Sequence, residues 1–538
     1  MSEASVINHI VAEPPAAGHR ISFFRLGGIE HLELTELHER AGRLAFALRD
    51  LGIARGERIG ILAANCLEWM VLDLAALRLG AVTVGFDPAK FATADPALLD
   101  RYRLRLLFTD RPDGAASGVP HIRALADVVR MAADQAGGRE LPPVLYAPDD
   151  VTSLKLTSGS TGEPKTLTAS AGSIDNDLLA VQEMFSHGPD DNVFVFLPLS
   201  VLQQRYWTYS ALRFGHDVTI STYEAAFPAL RQIRPTVVMG VPGFFETARK
   251  HIEAQAGGPV PTAPASAGAA STGPASAGPA SVDPDKAAAS ARRLFGDRIR
   301  YLWTGSAPAS GGTLRFFNGV GLPIFEGYGL NETCIVAKNH PGAHRLGSVG
   351  RVLPGKHVSL DAEGVIHVRA DHPVCRGYEQ APPGVSEHVF SADGTVRTND
   401  IGHLDEDGFL YIRGRADDVI VQDNGRKIVV RPIEEHMRAS PAIEECVIFC
   451  LKQTHLVAVV SPTGDTVGPD EEKAIAEQLA RTNAAFGAEE QIREVVVARG
   501  RFTVENGLLT SQLKPRRGQI LDIYLSEFND TQGSVHAA

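Results

Sequence analysis

The stretch LKLTSGSTGEPKTLTAS, Leu154 to Ser170, gathers small hydroxyls, glycines and lysine into one short run. Gly159 and Gly162 allow neighbouring backbone N–H groups to turn inward together, as in an anion nest. Thr157, Ser158, Ser160 and Thr161 add hydroxyl donors, and Lys165 adds a positive charge. This is chemistry for an oxyanion such as phosphate. It is not a Walker loop, which needs glycine directly before its lysine; here Pro164, which has no N–H, takes that place. The strand-like SLKL ahead of the loop puts it at a strand end, where α/β folds bind ligands. A plain Ser/Gly turn has the same composition, so this stretch alone leaves both readings open.

Other stretches carry polar groups suited to the same kind of ligand. FEGYGLNETC, Phe325 to Cys334, offers the carboxylate of Glu332, a hard oxygen donor for a divalent cation, or else a surface glutamate at a helix start. RTNDIGHLDEDGFLYIRGRADDVIVQDNGRKIVVRPIEE, Arg397 to Glu435, contains Asp400, an acceptor for paired hydroxyls or an Asx-turn residue. LLTSQLKPRR, Leu508 to Arg517, holds Lys514 in what is otherwise a solvated basic tail.

These groups need a scaffold to bring them together. A chain of 538 residues exceeds what one core organises, so two or more domains are expected. Helical spacing of Leu37, Ala41, Leu44 and Leu48 predicts a helix with Thr35 as N-cap and Gly52 as stop. RIGILAA, AVTVGFD, LRLLFTD and PTVVMGVP read as strands, and LEWMVLDLAALRLG as a helix ending at Gly80. This alternation implies an α/β fold with a largely parallel sheet. Near Gly414 the pattern changes. A hairpin turning at Asp407-Gly408 gives way to a compact α+β pattern: VIVQDNGRKIVV as a hairpin, PIEEHMRAS as a helix, ECVIFCLK and HLVAVVS as paired strands. The expected domains are 1–414 and a smaller 415–538. The run 256–284, almost all Ala, Gly, Ser, Pro and Thr, reads as a disordered insertion within the first.

The net charge of −12 argues against nucleic acid and against an anionic membrane surface as partners. No apolar run is long enough for an integral membrane segment, and the N-terminus lacks signal-peptide regions. The five cysteines form no C-x-x-C pair, which suits reduced thiols in a cytoplasmic protein.

Taken in order, these motifs resemble those of the adenylate-forming enzymes: acyl-CoA synthetases, peptide-synthetase adenylation domains and luciferases. The likeness also takes in LWTGSAPAS and GSVGRVLPG and spans roughly Phe24 to Leu525. It implies a large N-terminal domain of layered α/β/α sheets and a small mobile C-terminal α+β domain. It implies ATP- and Mg²⁺-dependent conversion of a hydrophobic carboxylic acid to an acyl adenylate, then transfer to coenzyme A; the closest branch is that of the long-chain or bulky-acid ligases. By this resemblance Thr157 to Gly162 and Lys165 embrace the β- and γ-phosphates, and Glu332 with Thr157 holds Mg²⁺. Adenine lies between Gly305, Ser306, Ala307, Pro308 and Glu326, Gly327, Tyr328, Gly329. Asp400 takes the ribose, Arg415 the ribose or a phosphate, and Lys514 bridges the acyl carboxylate and α-phosphate. Asp417 matches the hinge. Val201, Tyr206, Trp207, Phe244 and Trp303, with Phe245, are candidates for the acyl pocket or for ordinary core.

Two positions depart from the family pattern. Asn331 replaces its threonine and still offers an amide N–H to a phosphate oxygen. Val201 stands where many relatives carry a ring, which leaves the thiol open: coenzyme A, an acyl carrier protein's arm, or a non-catalytic or thiolation-only relative.

Overall fold

The computed structural model describes residues 5–111, 118–119, 121–134, 141–142, 144–157, 164–257, 283–422, 426–451, 455–464, 466–509, 515–529 and 535–536. Ser158, Gly159, Ser160, Thr161, Gly162 and Lys514 lie outside these, as does most of the 256–284 insertion. The chain divides into two compact units. One comprises Met1–Ser359, His367–Arg397 and Glu406–Leu410; the other comprises Leu360–Ile366, Thr398–Asp405 and Tyr411–Ala538. The second unit therefore takes in two segments ahead of residue 415, and Asp400 and Arg415 both belong to it.

The first unit is built on two sheets. A seven-stranded sheet runs in the order Tyr378–Glu379, Lys165–Ser170, Val151–Thr157, Val82–Phe86, Arg58–Leu62, Leu104–Thr109, Ile122–Ala124. Its strands pair in parallel except at the Lys165–Ser170 and Tyr378–Glu379 edge. A nine-stranded sheet runs Arg351–Val352, Cys334–Lys338, Ile324–Leu330, Tyr301–Thr304, Val237–Gly240, Asn192–Val195, Asp217–Ile220, Arg20–Arg25, Gly28–Glu33. The strands expected from RIGILAA, AVTVGFD, LRLLFTD and PTVVMGVP are all present.

Alternation along the strands divides the core. Val237, Met239, Tyr301 and Trp303 pack toward the cluster that contains Trp207 and both sheets. Val238 and Leu302, the residues between them, face a second cluster around Phe244, Phe245 and Phe317. This is period-2 geometry applied to a sheet buried on both faces. The helix predicted from Leu37 to Leu48 spans Leu34–Asp50, but its N-cap is Glu33 rather than Thr35. The Gly28–Glu33 strand runs straight into it, and Leu34 is already fully buried as the first helical residue. The next helix, Leu67–Leu79, ends as expected at Gly80, whose φ of +75° closes a left-handed cap.

That second helix is buried on nearly every side and carries Asp73, which has no exposed surface. Arg205, on the Leu202–Phe214 helix, donates through Nη1 to Asp73 Oδ1 at 2.8 Å, to Thr83 Oγ1 at 2.8 Å and to Ser153 Oγ at 3.1 Å. Tyr209 donates to the other Asp73 oxygen, and the guanidinium lies 5.0 Å from the Trp69 ring centre. One ion pair thus locks two helices to two strands of the seven-stranded sheet. The second unit has its own four-stranded sheet, Ile443–Leu451, His455–Pro462, Ile492–Val497, Val535–His536, and its own core around Ile433, Val460 and Leu479.

Removing one partner of a fully buried pair leaves the other charge uncompensated. Asp73→Ala is expected to lower stability by about 3–5 kcal/mol in the first urea transition. Asp73→Leu combined with Arg205→Met should recover most of that loss. A single-variant effect below about 1 kcal/mol, the range of an exposed pair, would show that the network is not needed.

Candidate active site

The phosphate-loop candidate joins two antiparallel strands, Val151–Thr157 and Lys165–Ser170, with Thr157 directly opposite Lys165. The loop between them thus has both ends pinned by sheet pairing. Lys165 Nζ sits 4.8 Å from the centre of the Tyr378 ring. Tyr378 is on the edge strand that pairs with Lys165–Ser170, opposite Leu167. Its hydroxyl donates to Glu332 Oε1 at 2.7 Å. Burial, and then the neighbouring Glu332 carboxylate, push the Tyr378 phenol well above its usual value, so it remains a donor across the physiological range. The sequence brought Lys165 and Glu332 forward separately. Tyr378, which joins them, was missed, and its only signal was an aromatic residue in an otherwise polar CRGYEQ run.

Glu332 lies in the hairpin turn between Ile324–Leu330 and Cys334–Lys338, not at a helix start. Buried cations hold that turn. Lys155 Nζ donates to Asn331 O at 2.7 Å and lies 3.3 Å from Cys334 Sγ. Lys356 Nζ donates to Thr333 O at 2.9 Å and pairs with Asp177 Oδ1 at 3.3 Å, with both side chains fully buried. The other Asp177 oxygen accepts from Ile335 N at 3.2 Å. Burial raises the Asp177 carboxyl above its usual range, against the pull of Lys356. Gly329 is required here, since a Cβ on it would lie 1.9 Å from Cys334 O.

The Gly305–Pro308 loop follows the Tyr301–Thr304 strand, at the carboxyl end of parallel strands. Ala309 N donates to Glu326 Oε1 at 3.4 Å, and this links the two adenine-loop candidates. Backbone strain marks these loops. Among the described residues, non-glycine positive φ occurs at Arg103, Ser186 and Arg234, all helix C-caps. It also occurs at Ser306, Cys334, Gln380 and Asn399. Each of these is in or within two residues of Gly305–Pro308, Glu332, Tyr378 or Asp400. Strain of this kind persists where the surroundings over-determine it, commonly at functional sites.

In the second unit, Arg415 Nη1 lies 3.2 Å from Asp400 Oδ1, on a carboxylate that is largely buried. The Asp417 backbone lies in a single 3₁₀ turn, Ala416–Asp418. Arg517 binds both Glu434 oxygens, at 2.6 and 2.7 Å, and its Nε lies 3.4 Å from Asp418. That anchor fixes the chain just after Lys514, and sequence reasoning missed it too.

The acyl-pocket candidates do not gather in one place. Trp207 and Trp303 meet edge to face with centroids 5.2 Å apart. Tyr206 faces Cys334 Sγ at 3.5 Å. Phe244 and Phe245 pack in the other core cluster, with Phe295 and Phe317, and Val201 is exposed at the start of the Leu202–Phe214 helix. Among the described residues no group of three or more His, Cys, Asp or Glu is arranged to hold a metal. Among the described residues, Glu332 offers a carboxylate and Thr157 a hydroxyl as hard oxygen donors. That set suits Mg²⁺, which commonly takes one or two carboxylates and completes its shell with substrate phosphates and water.

The model of the AMP-binding enzyme family matches residues 14–378, and that of the AMP-binding enzyme C-terminal domain matches 417–531. The long-chain-fatty-acid–CoA ligase FadD15 of Mycobacterium bovis is 28% identical over 541 residues, covering 90% of this chain and 89% of that one. Long-chain-fatty-acid–CoA ligase 1 of Homo sapiens is 24% identical, covering 94% of this chain and 82% of its own. The solved structure of O-succinylbenzoate coenzyme A synthetase from Bacillus subtilis, in complex with AMP, has the same fold: TM-score 0.73 at 18% identity, covering 96% and 98% of the two chains.

Lys356→Met should test the clamp on the Glu332 turn, because it strands Asp177. The folded carboxyl then lies further above its unfolded value, so the native state holds a proton that the unfolded state has released. Stability must therefore fall as pH rises between those two values. Urea titrations should show a loss of about 3–5 kcal/mol at pH 8 that shrinks toward pH 5. A pH-independent loss would place the effect elsewhere.

Proposed function

The chain belongs to the AMP-binding enzyme family, and from that premise we propose that it joins a hydrophobic carboxylic acid to coenzyme A at the expense of ATP. In the first step a carboxylate oxygen attacks the α-phosphorus and the bond to pyrophosphate breaks. In the second the thiol sulfur attacks the acyl carbon, the bond to AMP breaks, and the thiol proton passes to solvent. The observation that carries this reading is the Lys165–Tyr378–Glu332 chain: a cation over the ring of a phenol that donates to a carboxylate.

Such phosphate chemistry depends on positioning and on neutralising charge. We assign Lys165, with Thr157 and Ser158 to Gly162, to the β- and γ-phosphates. Glu332 and Thr157 would hold Mg²⁺, which spreads the phosphate charge. Asn331, its carbonyl fixed by Lys155, turns its amide to the α-phosphate. Adenine is assigned to Gly305–Pro308 and Glu326–Gly329 with Tyr328 as stacking partner, the ribose to Asp400 and Arg415, and the bridging cation to Lys514. Asp417 serves as hinge of the 415–538 domain. Trp207 and Trp303 form the acyl wall, with Tyr206 in the same core cluster, while Phe244 in the other cluster and the exposed Val201 fall outside it. Relatives such as FadD15 and long-chain-fatty-acid–CoA ligase 1 are coenzyme A ligases by name, which favours coenzyme A over a carrier protein's thiol. No helix among the described residues is long and apolar enough to cross a membrane, and Cys66, Cys334, Cys375 and Cys446 are free thiols, which suits a cytoplasmic enzyme.

Pyrophosphate release with ATP, Mg²⁺ and a panel of acids, with and without coenzyme A, tests this directly. Lys514→Ala is expected to cut release by roughly 10²–10³ yet leave thioester formation from a supplied acyl adenylate. Equal loss of both steps would remove Lys514 from the bridging role. Tyr378→Phe keeps the ring under Lys165 and deletes only the bond to Glu332. Turnover should fall about tenfold to a hundredfold and need more Mg²⁺ for half-maximal rate, with stability nearly unchanged. Unaltered Mg²⁺ dependence would detach Tyr378 from Glu332's function.

A further inference from the structure

Lys338 is fully buried, yet none of the roles above uses it. It lies on the strand beside Ile324–Leu330, opposite Gly327. Its stem crosses the space that a Gly327 side chain would fill: a Cβ there would lie 2.8 Å from Lys338 Cδ. The ammonium then reaches the next strand. It donates to Phe325 O at 2.6 Å, lies 3.4 Å from Thr304 O, and sits 3.5 Å above the Trp303 ring. Thr304 leads directly into the Gly305–Pro308 loop. Lys338 is therefore strapped across the sheet beneath the adenine-loop candidates and against the acyl wall.

Trp207 itself carries a further polar atom: its Nε1 is buried and has no hydrogen-bond partner among the described residues. Buried donors without acceptors are costly, and a straight hydrocarbon chain would leave them so. Trp303 and Glu326 each keep 9% of their surface accessible, while Tyr301 and Leu302 keep 1% and 0%. Burial holds the Lys338 ammonium well below its ordinary value, and Glu326 opposes that shift.

Resting on the ligase reading, we propose that Lys338 is a specificity-determining residue, and that the acid is a compact ring acid bearing one hydrogen-bonding oxygen. The ring lies against Trp303 and Trp207, and the oxygen takes the place of the long Lys338–Thr304 O contact. An unfunctionalised long chain has no such partner and meets the lysine strap as a barrier. A site built to bond a substrate oxygen rejects analogues that lack it, whereas apolar contacts discriminate weakly.

The test compares hexadecanoic acid, 3-phenylpropanoic acid and 3-(4-hydroxyphenyl)propanoic acid by AMP formation with ATP, Mg²⁺ and coenzyme A. The hydroxylated acid should exceed the plain aryl acid in kcat/KM by tenfold or more, and the alkanoic acid by more still. Lys338→Met should bring the two aryl acids within about threefold by lowering only the hydroxylated one. Preference for hexadecanoic acid, or equal rates for the two aryl acids in the wild type, would overturn the proposal and leave the ligase reading intact. AMP formation from none of the acids would count against the ligase reading and this proposal together. If Lys338→Met does not fold, the wild-type order of the three acids still decides. Tryptophan fluorescence titrated with the hydroxylated acid alone, in wild type and Trp303→Phe, gives a readout without turnover: a quench of the wild type that Trp303→Phe loses is expected, and its absence overturns the proposal.

Discussion

The turn that carries Glu332 is held from beneath by buried ammonium groups, and the candidate site depends on that restraint. A buried charge without partners costs several kcal/mol. Lys155 therefore has to stay on Asn331 O, and Lys356 on Thr333 O and Asp177. The turn is also closed sterically, because Gly329 admits no side chain and Cys334 is forced to φ +53°. Hydrogen bonds to backbone carbonyls are individually modest, but here the alternative is an unsatisfied cation in the core. The Glu332 carboxylate and the Asn331 amide, which we assign to the ligand, sit on a turn whose backbone these buried groups fix. Pre-organisation of this kind is what electrostatic catalysis requires, since it spares reorganisation during the reaction.

Much of the fold was legible because burial imposes periodicity. The parallel strands read as short apolar runs, and the Gly80 stop followed from a left-handed cap that only glycine adopts cheaply. The Thr35 cap was not legible. Capping preference is worth about 1 kcal/mol, and complete burial of Leu34 outweighs it. The chain's passage back into the second unit at Leu360–Ile366 and Thr398–Asp405 was equally hidden, since composition shifts only after Gly414.

The site divides in the same way. Residues that would touch a ligand, such as Lys165, Glu332 and Asp400, stood out through the order of the motifs that carry them, since each alone also suited a turn or surface role. Residues that hold them did not. Lys155 is 176 positions from Asn331, and in SLKLT it looks like any strand lysine. Tyr378 and Arg517 act through partners brought close only by folding. Spacing rules detect neighbours on one element, and these contacts cross between elements. The aromatic candidates show the converse. Phe244 and Trp303 are both bulky aromatics in sequence, and only the fold, with Trp303 on a strand and Phe244 on the Pro242–Gln255 helix, puts them in different cores.

The overall charge sharpens the importance of the local cations. With a net charge of −12 the protein as a whole repels a nucleotide triphosphate rather than steering it. Salt screens that repulsion beyond about 8–10 Å, so capture must rest on charges within a few ångströms of the phosphates. Lys165 lies against the face of the Tyr378 ring, where water is partly excluded and a unit charge acts more strongly than in bulk solvent. Tyr378 also donates to Glu332, so one side chain meets the ammonium with its ring face and the carboxylate with its hydroxyl. An acidic surface and a cationic site are thus compatible, provided the positive groups are few, oriented and shielded, and the Tyr378 bridge supplies that condition.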